Sequence, residues 1–177
     1  MYFDLETTRL TGDFIDFLYS AKMLEFSIDR KSFGVPSKDR TLRVEPYEKN
    51  NLLKYLRLLD SNMEFKWDIP SYVSSMDTYE KAFARCKEQC SFEAFWIEDE
   101  LAGLYWREGM EIKMIAVAAK YQHRGYGTEI ITRALEKIFD TDKYDKACLY
   151  TTDSNLKAVN FYIKYGFNLN ETVSLNL

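Results

Sequence analysis

The stretch from Glu111 to Phe139 constrains the fold more than any other part of this chain. Glu111 to Ala118 reads as a strand, and a helix is expected from about Thr128 to Phe139. Between them lies Gln122-His123-Arg124-Gly125-Tyr126-Gly127-Thr128. A loop with two glycines that empties into a helix N-terminus is a cradle for an anion. The first N–H groups of a helix have no partner inside it, the helix dipole favours negative charge, and glycine lets the backbone approach closely. Pyrophosphate suits such a site. A Walker A loop would need Gly-Lys-Ser/Thr, which is absent. A dinucleotide fingerprint would need a third glycine where Ile130 stands. Taken alone, the two glycines are equally well read as a plain strand-to-helix turn.

The rest of the chain supplies the setting. Residues 13–26 carry Phe14, Phe17, Leu18, Ala21 and Leu24 at helical spacing, with Asp13 as N-cap, and residues 27–40 read as a loop. Thr41 to Glu45 reads as a strand ended by Pro46. Leu52, Leu56 and Leu59 mark a helix, and Tyr79, Phe83, Cys86 and Cys90 mark another. Phe92 to Ile97 and Leu101 to Trp106 form a hairpin about Asp99-Glu100. After the glycine loop and its helix come a strand from Ala147 to Thr151, a helix from Asn155 to Tyr165 with Gly166 beyond its end, and a final strand within Phe167 to Leu177. This order gives an α/β (α+β) fold, a mixed and mostly antiparallel central sheet flanked by helices. The expected organisation is a helical extension, residues 1–40, packed on a domain of residues 41–177.

Composition removes several functions. Basic residues number 24 against 28 acidic, net charge -4, so there is no field to hold a phosphate backbone and nucleic acid is not an expected partner. The apolar run Met114 to Ala119 is far shorter than the roughly 20 residues of a spanning helix. The acidic start, Met1 to Glu6, has no basic leader pattern, so no membrane partner is expected and the cytoplasm is the expected location. Three cysteines with no CxxC spacing argue against a disulfide framework and a zinc knuckle. His123 is the single histidine, so no His-ligated metal site is expected, and proton transfer falls to carboxylates, tyrosines, water or backbone.

Two segments together are more specific than either alone. Gln122-His123-Arg124-Gly125-Tyr126-Gly127 resembles the acetyl-CoA signature of the GNAT superfamily of N-acetyltransferases, Gln/Arg-x-x-Gly-x-Gly/Ala. About thirty residues on, Asn155 to Phe167, with Ala158, Tyr162 and Gly166-Phe167, resembles that family's second signature. The likeness covers Phe92 to Phe167 well and Thr41 to Asp60 loosely. It implies a GNAT-like fold and acetyl transfer from acetyl-CoA to a primary amine, by direct attack in a ternary complex. The alternative is a non-catalytic acyl-CoA-binding or regulatory module on the same fold.

The resemblance also implies roles. The strand backbone at Ile115, Ala116 and Val117 would hold the pantetheine arm and acetyl carbonyl, a bulge having splayed that strand from its neighbour. The amides of Gln122, His123, Arg124, Gly125, Tyr126, Gly127 and Thr128 would take the pyrophosphate, with Lys120 or Arg124 near the remaining phosphate. Tyr162 resembles the acid that protonates the departing thiolate, though with Ala158, Phe161 and Tyr165 it also makes a core stripe. Asn155 resembles the residue that bonds the pantetheine arm, and it is also a competent N-cap. Glu111, eleven residues before Gln122, resembles the catalytic glutamate of the histone-acetyltransferase branch, against the plain reading of an exposed strand-edge carboxylate.

The acceptor is not identified by sequence. Glu64, Asp68, Asp77 and Glu80, mixed with Phe65, Trp67 and Tyr72, would suit a cationic amine with an apolar body. Only ten residues follow Phe167, fewer than the family spends on its last two strands, so the sheet is expected to be abbreviated or completed by a partner, and the extension to cover the acceptor site or pack a homodimer.

Overall fold

A computed structural model describes residues 22–34, 42–62, 71–88 and 91–174. Its strands are β1 (Lys22–Asp29), β2 (Arg43–Pro46), β3 (Phe92–Ile97), β4 (Glu100–Glu108), β5 (Glu111–Val117), β6 (Lys146–Thr152) and β7 (Asn168–Ser174). The helices are α1 (Leu52–Asn62), α2 (Met76–Glu88), α3 (Tyr126–Glu136) and α4 (Leu156–Tyr165). All seven strands join one sheet in the order β2-β3-β4-β5-β6-β1-β7. Every neighbouring pair is antiparallel except β5 with β6, which is parallel. This is the mixed, mostly antiparallel sheet flanked by helices that the sequence pattern implies.

Each face of the sheet carries its own core. Ile130, Ile131, Ala134 and Leu135 of α3 and Tyr162 of α4 pack with Phe26, Ile28, Phe95, Tyr105, Ile112 and Leu149. On the other face, Leu52, Tyr55, Leu56 and Leu59 of α1 and Phe83 and Cys86 of α2 pack with Phe92, Ala94, Trp96, Leu104 and Ala116. Strand β3 is buried along nearly its whole length because it feeds both cores in turn. Cys86 and Cys148 are buried free thiols, and Cys90 lies outside the described residues. Among the described residues no helix is long and apolar enough to cross a membrane.

One expectation is overturned. The helix expected over residues 13–26 does not survive where the chain is described, because Lys22–Asp29 is a strand, and residues 13–21 lie outside the described residues; the loop expected after it begins only at Arg30, with a 3-10 turn at Arg30–Ser32. β1 enters between β6 and β7, with Phe26 opposite Leu149 on one side and Leu169 on the other. Phe26 and Ile28 go into the α3/α4 core at 0% and 1% exposure. Burial of two large apolar side chains and backbone pairing on both edges outweigh a helical spacing that only Leu24 continues. Residues 22–29 thus belong to the central sheet, and β7, the strand after Phe167, pairs with the chain's own earlier strand.

After β1 the chain is tied to the π-helical turn Lys137–Thr141 that follows α3. Arg30 Nη2 lies 3.0 Å from Asp140 Oδ1, and Phe33 packs on Phe139 with ring centroids 5.3 Å apart.

Gly103 seats α3 on the sheet. A Cβ there would stand 2.4 Å from Ile130 Cδ1 and 2.7 Å from the Ala116 carbonyl oxygen. The Ile130 methyl can yield, but the strand carbonyl cannot without disturbing the β4–β5 ladder. Gly103→Ala is accordingly expected to cost about 1–3 kcal/mol, read as a lower midpoint of urea unfolding.

Candidate functional site

The site begins where two strands part. The parallel ladder between β5 and β6 consists of Glu111↔Cys148 and Ile112↔Leu149, and beyond Ile112 the strands diverge. On its other edge β5 stays paired with β4 to Val117, with a shift of register between Trp106 and Arg107 that leaves Lys113 as the extra residue. The Ala118 amide donates to the Ala102 carbonyl at 2.9 Å. Alternation along an antiparallel ladder then directs the backbone groups of Ala116 and Met114 to β4, and those of Val117 and Ile115 into the opening beside β6. The bulge at Lys113 sets this phase; without it, Met114 and Ala116 would face the opening. Ala116 is thus corrected: its amide turns to β4 and its side chain enters the α1/α2 core at 3% exposure.

The opening leads to the glycine loop. Ala119–Tyr121 forms a short 3-10 turn, His123 takes φ +58°, and Gly125 takes φ +88° as the N-cap of α3. That left-handed cap is why glycine stands at 125: it turns the chain into the helix at no steric cost. Gly125 has no side chain to cap α3, and the first intrahelical bond joins the Glu129 amide to the Gly125 carbonyl, so Gly127 and Thr128 lie in the first turn with their N–H groups directed out of the helix end. A Cβ on Gly127 would meet Phe161 of α4 and Val117 of β5, each at 3.6 Å. The end of β5, the start of α3 and the flank of α4 therefore converge at one point.

The loop's side chains are partly committed. Gln122 Nε2 donates to the Val117 carbonyl at 3.0 Å and to Asn62 Oδ1 at 3.3 Å, tying the loop to α1. Lys120 is ion-paired with Glu100, whose carboxylate also accepts from the Tyr121 hydroxyl at 2.7 Å. These hydrogen bonds, Lys120's first, hold the Glu100 carboxyl below its ordinary range and raise Lys120. His123 and Arg124 are exposed.

The second segment forms as its residues imply. Asn155 caps α4, its Oδ1 accepting from the Ala158 amide at 3.0 Å, and Gly166 closes the helix in the left-handed region. Tyr162 is 7% exposed, with its ring among Phe26, Phe161 and Phe167 at centroid distances of 5.6, 5.5 and 5.8 Å. Burial pushes its hydroxyl pKa well above the ordinary value, so it holds its proton throughout neutral pH. Glu111 lies on the opposite face. Ile112 belongs to the α3/α4 core, so alternation turns Glu111 to the α1/α2 side, where its Oε2 lies 2.6 Å from Lys113 Nζ. Tyr162 and Glu111 thus flank the sheet from its two faces, with Glu111 at the closed end of the opening.

Of the expected acceptor residues, Glu64, Phe65, Trp67 and Asp68 lie outside the described residues. Tyr72 packs against Tyr79 at 5.0 Å, and its amide donates to Asp60 at 2.6 Å. Glu80 pairs with Lys49 at 2.5 Å, and Asp77 sits in the first turn of α2. A separate polar pocket of about 600 Å³, lined by Arg43, Glu45, Lys54 and Trp96 among others, lies at the far β2 edge of the sheet. The resemblance implied a bulge in this strand without placing it; it falls at Lys113, whose signal is a charged residue interrupting an apolar strand. The sequence reading missed Gly103, whose signal is a glycine inside such a strand.

Comparison with solved structures shows the same architecture. The chain is similar to a functionally unknown conserved protein from Staphylococcus epidermidis, with 15% identity and a TM-score of 0.62 over 93% of this chain and 66% of that one. An acetyltransferase of the GNAT family from Colwellia psychrerythraea matches with 10% identity and a TM-score of 0.65, over 86% of this chain and 54% of that one. Ard1 from Thermoplasma volcanium matches with 14% identity and a TM-score of 0.57, over 75% of this chain and 86% of that one. The chain spans about half to two thirds of the length of several of these proteins. No curated protein matches it. The family model described as acetyltransferase (GNAT) family matches residues 59–167, from the end of α1 to the residue after Gly166. A match over more than half the chain, on the elements that build the opening and the glycine loop, makes this protein a member of the GNAT acetyltransferase family.

Proposed function

We propose that this protein is an N-acetyltransferase that moves an acetyl group from acetyl-CoA to a primary amine, by direct attack in a ternary complex. The observation that carries the reading is the parting of β5 from β6 beyond Ile112, with the Ile115 and Val117 backbone turned into the gap and the N-terminus of α3 at its open end. A thioester with a long amide-bearing arm and a pyrophosphate fits that sequence of donors. The first turn of α3, with the amides from Gln122 through Thr128, takes the pyrophosphate. The strand amides take the arm, and one directed at the thioester oxygen stabilises the charge that develops there, worth on the order of 3 kcal/mol.

The ammonium first loses one proton to Glu111 through water. The amine nitrogen then bonds to the acetyl carbon, the carbon–sulfur bond breaks and the thiolate takes the Tyr162 proton, while the nitrogen gives up its second proton to water, from which Tyr162 is reprotonated. Burial keeps the Tyr162 hydroxyl protonated until the sulfur departs. The non-catalytic reading draws support from Tyr162 packed as a core ring and Glu111 already paired with Lys113. Thiol release from acetyl-CoA separates the two: amine-dependent release is expected, and CoA binding without release for any primary amine would leave the binding module.

A further inference from the structure

The inserted strand brings a carboxylate to the proposed acceptor side. Across three adjacent strands Glu111, Cys148 and Ser27 stand side by side, and Glu25 stands opposite Tyr150 two residues along. Paired residues project to one face of a sheet, as do residues two apart in a strand. Glu111, Cys148, Tyr150, Ser27 and Glu25 therefore share the α1/α2 face. The core beneath α1 and α2 takes its strand residues from β3, β4 and β5, and among the described residues none from β1, β6 or β7. Here Tyr150 is 41% exposed. Glu25 is held in place, its Oε1 accepting from Asn170 Nδ2 at 3.1 Å, while that amide also donates to Ser27 Oγ at 2.8 Å. Burial first, then the charges of Glu25 and Glu111, raises the pKa of both Cys148 and Tyr150, so both carboxylates bear on this patch. The nearby cations are engaged or displaced: Lys113 bonds Glu111, and Lys146 stands four residues from Tyr150, opposite Asp29.

We propose that Glu25 is a specificity-determining residue that receives a second positive charge on the acceptor. The acceptor class is then an aliphatic diamine: its near nitrogen reacts beside Glu111, and its far ammonium rests on the Glu25 carboxylate and the Tyr150 ring. Two strand spacings and two residues of rise put the Glu25 and Glu111 Cα atoms about 12 Å apart, a span that two inward-leaning side chains and a short methylene chain fill. A carboxylate and an exposed aromatic ring recognise an ammonium and offer nothing to an anion. The role of the near nitrogen rests on the acetyltransferase reading above, whereas recognition of the far ammonium is a property of Glu25.

The test is calorimetric titration of cadaverine, a five-carbon diamine, and of pentylamine into the protein saturated with CoA, for wild type and Glu25→Gln. Gln keeps an oxygen for the Asn170 amide, so the network within the sheet is retained. Wild type is expected to bind cadaverine roughly tenfold more tightly than pentylamine, and Glu25→Gln to erase the difference. Equal affinities in wild type, or a preference that survives the substitution, overturn the proposal. Thiol release from acetyl-CoA is followed in parallel. A Glu25-dependent preference in binding with no release supports the Glu25 site and removes the transferase reading. Release with pentylamine at the same KM as cadaverine keeps the transferase and overturns the role of Glu25.

Discussion

Phe26→Ala is expected to lower folding stability by about 3–5 kcal/mol. Phe26 is fully buried in the middle of the inserted strand, between β6 and β7, and its ring packs on Tyr162 at 5.6 Å. Its removal leaves a cavity beneath α4 and withdraws the side chain that anchors β1 in the α3/α4 core. Urea unfolding reads the effect as a lower midpoint, with Lys22→Ala, an exposed position at the start of the same strand, as the control expected to stay within about 0.5 kcal/mol of wild type. A Phe26→Ala loss no larger than the control's would place this segment on the surface, as an appendage would be.

The second large effect is on turnover. Glu111→Gln keeps the size and hydrogen bonding of the side chain but removes its basicity, and turnover is expected to fall by about 10²-fold or more near neutral pH. The acceptor reaches the protein mostly as ammonium, an alkylamine pKa being about 10.4. As the pH rises towards that value more free amine arrives without help, so the deficit should narrow. The loss belongs in kcat, because Glu111 stands at the closed end of the opening, away from the glycine loop. A deficit constant across pH would assign Glu111 a structural role through its pair with Lys113. Tyr162→Phe is the companion: the ring still packs among Phe26, Phe161 and Phe167, only the proton donor is lost, and turnover should fall while CoA affinity holds.

Features written by nearby residues were legible in the sequence. The strand before the glycine loop, the helix after it and the Asn155 and Gly166 caps are local events, set by backbone conformation and helix-end hydrogen bonds within a few residues. The place of β1 was not. Leu24, Phe26 and Ile28 alternate with Glu25, Ser27 and Asp29, a clean two-residue period, but Leu24 also continues the helical spacing of Phe14, Phe17, Leu18 and Ala21. What decides between the periods is pairing with residues more than a hundred positions later, Lys146 to Thr152 and Asn168 to Ser174, which no local pattern encodes. The same holds for the site. The resemblance pointed to the backbone of Ile115 and Val117, whereas the bulge at Lys113 that turns their amides into the opening depends on the register of β4 against β5.

The most direct measurement is amide hydrogen exchange with and without acetyl-CoA. If the pyrophosphate lies on the first turn of α3 and the arm lies in the gap between β5 and β6, exchange should slow at Gly127 and Thr128 and at Ile115 and Val117, while Met114 and Ala116, already directed to β4, change least. Gly125→Val, which forces a branched side chain into a left-handed conformation, should remove the protection along with the binding. Protection confined to the polar pocket of Arg43, Lys54 and Trp96, or none at all at saturating acetyl-CoA, would contradict the placement of the donor in this opening.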